Sequence, residues 1–501
     1  AVLANDLVTT YAYDPSGNVL TTTNPRSKTT TNVYDARDYC TLKTYPDTKT
    51  RQWTYDGNGK IVTATDGKGQ VTQFLYNDLG QVTNEQRMNG ATVVYQTVYT
   101  YTPKGDRLTM LDSSSATATS FTYDTASRLL TTYQPIPNKT LVNTYDGSSR
   151  RTALRVFAGT ATTGTPLMKW TYQYDGGLRL QTLKEQLGSS VEVTLATWTF
   201  YDSDLPDTRT MLNGTSAKTS YNSKGLVSQI DHNKAAVLQQ RLTYGYDLAG
   251  AISSYSNHSL EGSSYNTVST AYTHDRSYRL LTEARTGSIY TAQNYTVGYS
   301  YDKSGNRLSV TRNGVSSTYT VDDNDKHLTG DGINVSAYDN NGSATTFTEN
   351  GATRTATYTR DNRIATLTTS SGTDTNTYNG DGLRVRKVSG SVTTNFLYDG
   401  STLVAEYPGT ASTYHASGVS FTDGATGSRF FYRENALGSN LAVVASTGNP
   451  VSRMEYDGYG LELPILAGTN TSHRFAGKHG YYKDDSSGLS LLGQRFYSPR
   501  I

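Results

Sequence analysis

Aspartate is the first residue type that could do chemistry in this chain of 501 residues, because it recurs from end to end. Paired carboxylates carry out general acid–base catalysis when their environments separate their pKa values. Here many of the aspartates come with a companion that points elsewhere. Asp14 is followed by Gly17, Asp56 by Gly59, Asp247 by Gly250 and Asp302 by Gly305. A carboxylate that accepts nearby backbone N–H groups, with glycine at a fixed offset, is turn chemistry. Asp484-Asp485 precedes Ser-Ser-Gly488 and is read the same way.

The other candidates are weaker. Of seven histidines, His473 and His479 flank Phe475 and Gly477, but no third ligand stands at a metal-binding spacing. His274 and His415 stand alone. Cys40, the only cysteine, excludes an intrachain disulfide and has no neighbouring histidine to activate it. Gly57-Asn-Gly59 and Gly67-Lys-Gly69 fall between expected strands and not before a helix, so a phosphate cradle is not expected. Tyrosines can stack on sugars, yet most occupy a repeated structural position. We expect no catalytic residue, no cofactor and no metal.

The elements that position these residues follow from one phrase. It runs aromatic, any residue, Tyr-Asp, two residues, Gly, then a polar and an aliphatic residue. Copies are Tyr11-Ala-Tyr13-Asp14-Pro-Ser-Gly17, Trp53-Thr-Tyr55-Asp56-Gly-Asn-Gly59, Tyr244-Gly-Tyr246-Asp247-Leu-Ala-Gly250 and Tyr299-Ser-Tyr301-Asp302-Lys-Ser-Gly305. The second tyrosine falls at positions 13, 34, 55 and 76, a step of 21, and later at 101, 123, 145, 174, 201, 221 and 246. A period of this kind marks a repeat architecture. In Tyr-x-Tyr both rings lie on one strand face, Asp opens a turn, Gly takes a left-handed backbone that other residues resist, and a Thr-rich strand follows. One repeat is one β-hairpin. One hairpin is marginal alone, so neighbours must pair side by side. A long twisted sheet must then coil or close. Tyr123-Asp124-Thr-Ala-Ser127 and Tyr201-Asp202-Ser-Asp-Leu205 lack the glycine. Gly159–Thr165 and Ser253–Ser264 read as longer loops protruding from the wall.

Composition agrees with a wall one sheet thick. Hydrophobic residues make up 35%, a figure that includes 40 tyrosines. Counting glycine in place of tyrosine leaves about 36%, against about 45–50% in ordinary chains. The formal charge is +2 with no basic stripe, which argues against nucleic-acid binding. No stretch is apolar enough to be a membrane helix. The start lacks signal-peptide features and reads as a cut into a longer protein.

These Tyr-Asp-x-x-Gly hairpins resemble the YD repeats of bacterial Rhs proteins, of Tc toxin C components and of animal teneurins. The C-terminal part is more specific. It carries Phe430-Phe-Tyr432, Leu437-Gly438-Ser439, Met454-Glu-Tyr456-Asp457-Gly-Tyr-Gly460, Arg474-Phe475-Ala-Gly477 and Gly488-Leu489…Gly493-Gln-Arg495-Phe496-Tyr497-Ser-Pro499. That run is similar to the Rhs-associated core; Tyr432-Arg-Glu-Asn435 departs from it where many relatives carry His and Asp. The resemblance implies an all-β fold in which YD-repeat hairpins join into a continuous coiled sheet forming a hollow, cocoon-like shell or part of one. Residues 1–400 would be repeat shell, and 401–501 the core segment. It places a self-cleaving Asp-Pro-x-Gly-Leu motif and a variable toxin after Ile501. The expected function is the shell of a secreted or cell-surface Rhs-type toxin used in bacterial competition. Its partners would be the enclosed C-terminal toxin polypeptide and secretion machinery. The alternative is a surface adhesion protein that binds a cell-surface glycan or protein.

Overall fold

The structure is a computed structural model that describes residues 7–500 apart from 113–114, 288–290, 331, 350 and 470. It is β-strand throughout, joined by tight turns. Among the described residues the only helical turns are two short 3-10 segments, Thr291–Gln293 and Gly477–His479. No helix is long and apolar enough to cross a membrane, which leaves β-barrel spans unaddressed.

The chain divides into two units. One contains Ala1–Ala118, Gly298–Gly382 and Arg500–Ile501; the other contains Thr119–Val297 and Leu383–Pro499.

Within the first unit, strands Thr10–Tyr13, Val19–Thr23, Thr29–Tyr34, Cys40–Thr44, Thr50–Tyr55 and Ile61–Thr65 pair antiparallel in chain order. The pairing slips by one residue just before the second tyrosine, at Ala12/Tyr13, Val33/Tyr34 and Thr54/Tyr55. The same slip recurs in the second unit at Thr144/Tyr145, Gln173/Tyr174 and Gly245/Tyr246. A bulge adds local right-handed twist, so these Tyr-Asp hairpins carry twist built in at the turn. The threonines answer across the ladder: Thr54 and Thr63 hydroxyls lie 2.7 Å apart, Thr100 and Thr109 2.6 Å, and Thr273 and Thr282 2.6 Å.

The core is unevenly spread along the chain; in the first unit it lies within Gly298–Gly382, at residues such as Val310, Ile333 and Leu367. From residue 7 to 109 no apolar side chain is fully buried; Met110 is the first. From Tyr34 onward the tyrosines there are held half-buried between sheet and solvent, whereas Tyr11 and Tyr13 are exposed. The second unit has a dry core around Leu141, Leu154, Met168, Trp170, Leu195, Leu397 and Phe431. Averaged composition concealed this asymmetry.

Two local expectations are corrected. Ser253–Ser264 is not a protruding loop: it belongs to strands Ile252–Glu261 and Ser264–His274, paired from Ser254 with Ala271 to Glu261 with Ser264. Gly159–Thr165 is an exposed loop. The copy at residue 201 is out of register by one. Phe200 pairs with Pro206 as Tyr13 pairs with Val19, so Tyr201 sits where aspartate sits elsewhere. Its N–H bonds Leu205 O, and Asp204 takes the positive φ.

Candidate functional site: the repeated turn and the buried charges of the C-terminal segment

The turn is nearly identical wherever the phrase occurs. Asp56 Oδ1 accepts the N–H groups of Asn58 (2.8 Å) and Lys60 (2.9 Å). Asp247 does the same for Ala249 and Ala251, and Asp302 for Ser304 and Asn306. Asp14 Oδ1 accepts from Asn18 N, and the Asn18 side chain and backbone hold its carboxyl below the usual range. The main chain closes the loop: Gly59 N–H bonds Asp56 O, and Asp56 N–H bonds Lys60 O. The glycines stand at positive φ, Gly17 at 91°, Gly59 at 81°, Gly250 at 91° and Gly305 at 94°. Glycine is not obligatory, contrary to the simple reading. Ser127, Ser149, Leu178 and Tyr278 hold φ between 60° and 68° at the equivalent place. The carboxylate and main-chain bonds impose the conformation, and the residue bears its cost.

Sequence reasoning found the tyrosine face but missed what the hydroxyl does. The second tyrosine donates to the carbonyl of the residue that begins the strand after the preceding turn. Tyr34 reaches Val19 O (3.0 Å), Tyr55 reaches Cys40 O (2.7 Å), Tyr76 reaches Ile61 O (2.7 Å) and Tyr246 reaches Val227 O (2.6 Å). The basic residue after the turn residue of positive φ covers the next ring. Lys60 lies 5.3 Å from the Tyr76 centroid, Arg128 5.0 Å from Tyr145 and Arg150 4.8 Å from Tyr174. Contacts of this kind contribute about 0.5–1 kcal/mol at exposed sites. Tyr13, which is 57% exposed, has no hydroxyl partner among the described residues. Tyr301 lies half-buried at its turn.

In the first unit two rows of turns meet in charged pairs. Arg26 pairs with Asp325 and lies 3.4 Å from Asp302; Lys326 pairs with Asp47 at 3.1 Å, and Lys68 with Asp339 at 3.0 Å. Arg107 meets Asp381 through two bonds, at 2.6 and 2.9 Å. The turns at residues 24–28, 45–49, 322–326 and 339–342 line a cavity of about 390 Å³ that includes Lys28, Asp47, Arg51 and Asp323.

The C-terminal motif residues are brought together in the second unit. Asn435 replaces aspartate in its turn, accepting Leu437 and Ser439 N–H groups, with Gly438 at φ 74°. Tyr456 OH donates to Asn440 O (3.0 Å), and its ring stands 5.5 Å from Phe475. Asp457 Oδ1 accepts Tyr459 and Leu461 N–H groups. Gly460 lies under Phe475, where an added Cβ would stand 2.6 Å from the ring. Arg474 donates to Thr471 O, Glu462 and Asp485. Gly477 abuts His473 and Asn440, and Gly488 N–H bonds Asp484 O. Leu489 is buried and pairs with Asp484. Arg495 is exposed on the last strand, Pro499 is half-buried, and Tyr497 OH reaches Tyr459 O at 2.6 Å.

Buried charges here had no sequence signal, because their partners are remote in the chain. Asp484 is more than a turn residue. Burial raises its pKa, but Arg384 and Lys387 outweigh that and hold it at about 2. Glu406 accepts from His415 Nε2 (2.9 Å), Ser472 Oγ (2.7 Å) and Tyr482 OH (2.9 Å). Burial raises its pKa, yet these partners, His415 first, bring it down to about 2. His473 packs 4.7 Å from His415, and burial, with His415, pushes it down to about 3. No group of three or more metal-ligating side chains occurs among the described residues. Chemically these are hydrogen-bonded ion pairs that fix the segment.

Comparison with known proteins agrees with this construction. The RHS Repeat family model matches residues 55–92. The tRNA nuclease WapA of Bacillus subtilis (strain 168) is 30% identical over 219 residues, covering 41% of this chain and 9% of that protein. The tRNA3(Ser)-specific nuclease WapA of Bacillus spizizenii is 30% identical over 221 residues, with the same coverage. The crystal structure of TcdB2-TccC3 without its hypervariable C-terminal region superposes with a TM-score of 0.79 at 16% identity, covering 98% of this chain and 28% of that chain. The crystal structure of TcdB2-TccC3 gives 0.78 at 15%, covering 98% of this chain and 29% of that one. The chain thus spans less than a tenth of these curated relatives and less than a third of these solved structures, and it shares the latter's fold.

Proposed function

This chain is an Rhs-type YD-repeat protein, and from that premise we propose that it forms part of a wall enclosing a toxic polypeptide carried in the same protein. The observation that carries the reading is the self-propagating hairpin. Turn, bulge and tyrosine bond together add the next hairpin, with a bulge set at the Tyr-Asp turn. Such a strip suits enclosure: it lengthens without needing a thick core, and closure removes exposed sheet edges. The similarity to proteins named as WapA nucleases supports a carried toxin; a secreted or cell-surface setting and a role in competition between bacteria are part of the same proposal. The wall itself is non-catalytic in this reading; its aspartates are committed to backbone N–H groups and ion pairs.

Limited proteolysis of the full gene product tests the proposal. A carried polypeptide should survive protease doses that digest the same polypeptide made alone. Equal digestion of both would overturn it.

A further inference from the structure

Most buried charges in the second unit have a counter-charge. Glu185 meets Arg429 (2.7 Å), Arg285 meets Glu455, and Arg384 meets Asp484. Arg433 breaks the pattern. It is 4% exposed, and its Nε and Nη2 have no hydrogen-bond partner among the described residues. Burial and the neighbouring Arg453 push its pKa down to about 10, so it is still a cation at neutral pH.

The sheet explains why two arginines come together. Arg433 pairs with Ala442, and Ala442 with Arg453, on the adjacent strands Arg429–Glu434, Asn440–Val444 and Pro450–Tyr456. All three side chains therefore stand on one face. Across two strand spacings the arginines are about 10 Å apart at their backbones. Alanine between them leaves space. That space is a cavity of about 20 Å³ lined also by Gln240, Asn257 and Glu455. It suits one atom-sized guest. Glu455 does not supply the missing charge, since its oxygens take Asn257 Nδ2 (2.6 Å) and Arg285. Arg453 donates to Leu260 O at 3.2 Å. Gln240 turns its Nε2 to Asn257 Oδ1.

We propose that Arg433 and Arg453, astride Ala442, form a site for a monatomic anion, chloride in ordinary media. A water molecule can satisfy the N–H groups but cannot neutralise a guanidinium, and an uncompensated buried charge is strongly destabilising. Polyatomic anions exceed the space. The site goes beyond the enclosing role and does not depend on it.

The test melts the intact chain in sodium chloride, sodium bromide and sodium gluconate at equal ionic strength; gluconate is too large to enter. An anion bound only to the folded state raises the transition temperature. The midpoint should be higher in chloride and bromide than in gluconate, and the difference should vanish in Arg433→Met. Crystals of the unaltered chain soaked in bromide should show an anomalous peak within hydrogen-bond distance of Arg433 Nε. This readout stands whether or not the variant folds. No anomalous peak there, or an undiminished chloride effect in a folded Arg433→Met, would overturn the proposal.

Discussion

The hydroxyl of Tyr55 donates to the carbonyl of Cys40, 2.7 Å away and 15 residues earlier. Cys40 contributes its backbone carbonyl to the repeat. The bond ties the end of one strand to the start of the strand before it, across the turn that carries Asp47. Its recurrence at Tyr34, Tyr76 and Tyr246 makes it the stitch between hairpins.

Removing one such hydroxyl should therefore cost more than removing an exposed one. Tyr55→Phe is expected to destabilise the chain by about 0.5–1.5 kcal/mol, the net worth of a hydrogen bond. Tyr13→Phe should be close to neutral, because that ring is exposed. Urea denaturation of both variants checks this; equal losses would count against the stitch.

Backbone strain makes a prediction of opposite signs. Gly305 stands at φ 94° with open space around its Cβ position, and Leu178 at φ 68° with its side chain 61% exposed. Gly305→Val should lose about 1–2 kcal/mol, and Leu178→Gly should gain about 1 kcal/mol. Thermal melts of the two variants should move in opposite directions.

Gly460 and Gly17 separate strain from crowding. Both have positive φ, but a Cβ at Gly460 would meet Phe475 at 2.6 Å, while Gly17 has nothing within 4 Å. Gly460→Ala should cost about 1–3 kcal/mol more than Gly17→Ala. Near-ultraviolet circular dichroism should also report displaced aromatic rings in Gly460→Ala alone.

Acid should loosen the second unit through two carboxylates. Asp484 and Glu406 both titrate at about 2 in the folded chain, below their ordinary values of 3.8 and 4.5. A depressed pKa gives stability that is present above the unfolded value and lost as pH falls toward the folded one. The loss should therefore occur between about pH 5 and pH 2. Asp484→Asn, which leaves Arg384 buried without its partner, should cost about 3–5 kcal/mol at neutral pH. It should also flatten the acid limb of the stability profile, measured by denaturation across pH.

The repeat was legible in the sequence because its causes are local. The Asp side chain, the residue at positive φ and the alternation of Tyr-x-Tyr all act within a few residues, so spacing alone reveals the hairpin. The register at Tyr201 was misread for the same reason. Tyr201-Asp202 mimics the phrase, whereas cross-strand pairing of Phe200 with Pro206 decides where the turn begins. Strand pairing likewise turned Ser253–Ser264 from an apparent loop into a hairpin.

What only the tertiary structure decided depends on residues far apart in the chain. Arg384 finds Asp484 a hundred positions on, Glu406 gathers His415, Ser472 and Tyr482, and Arg433 faces Arg453 across Ala442. The sequence alone determined a chain of twisting hairpins, since turn and strand preferences are written in neighbouring residues. Which charges are buried, and beside what, belongs to the folded sheet, because desolvation and ion pairing depend on distance in space and not on separation along the chain.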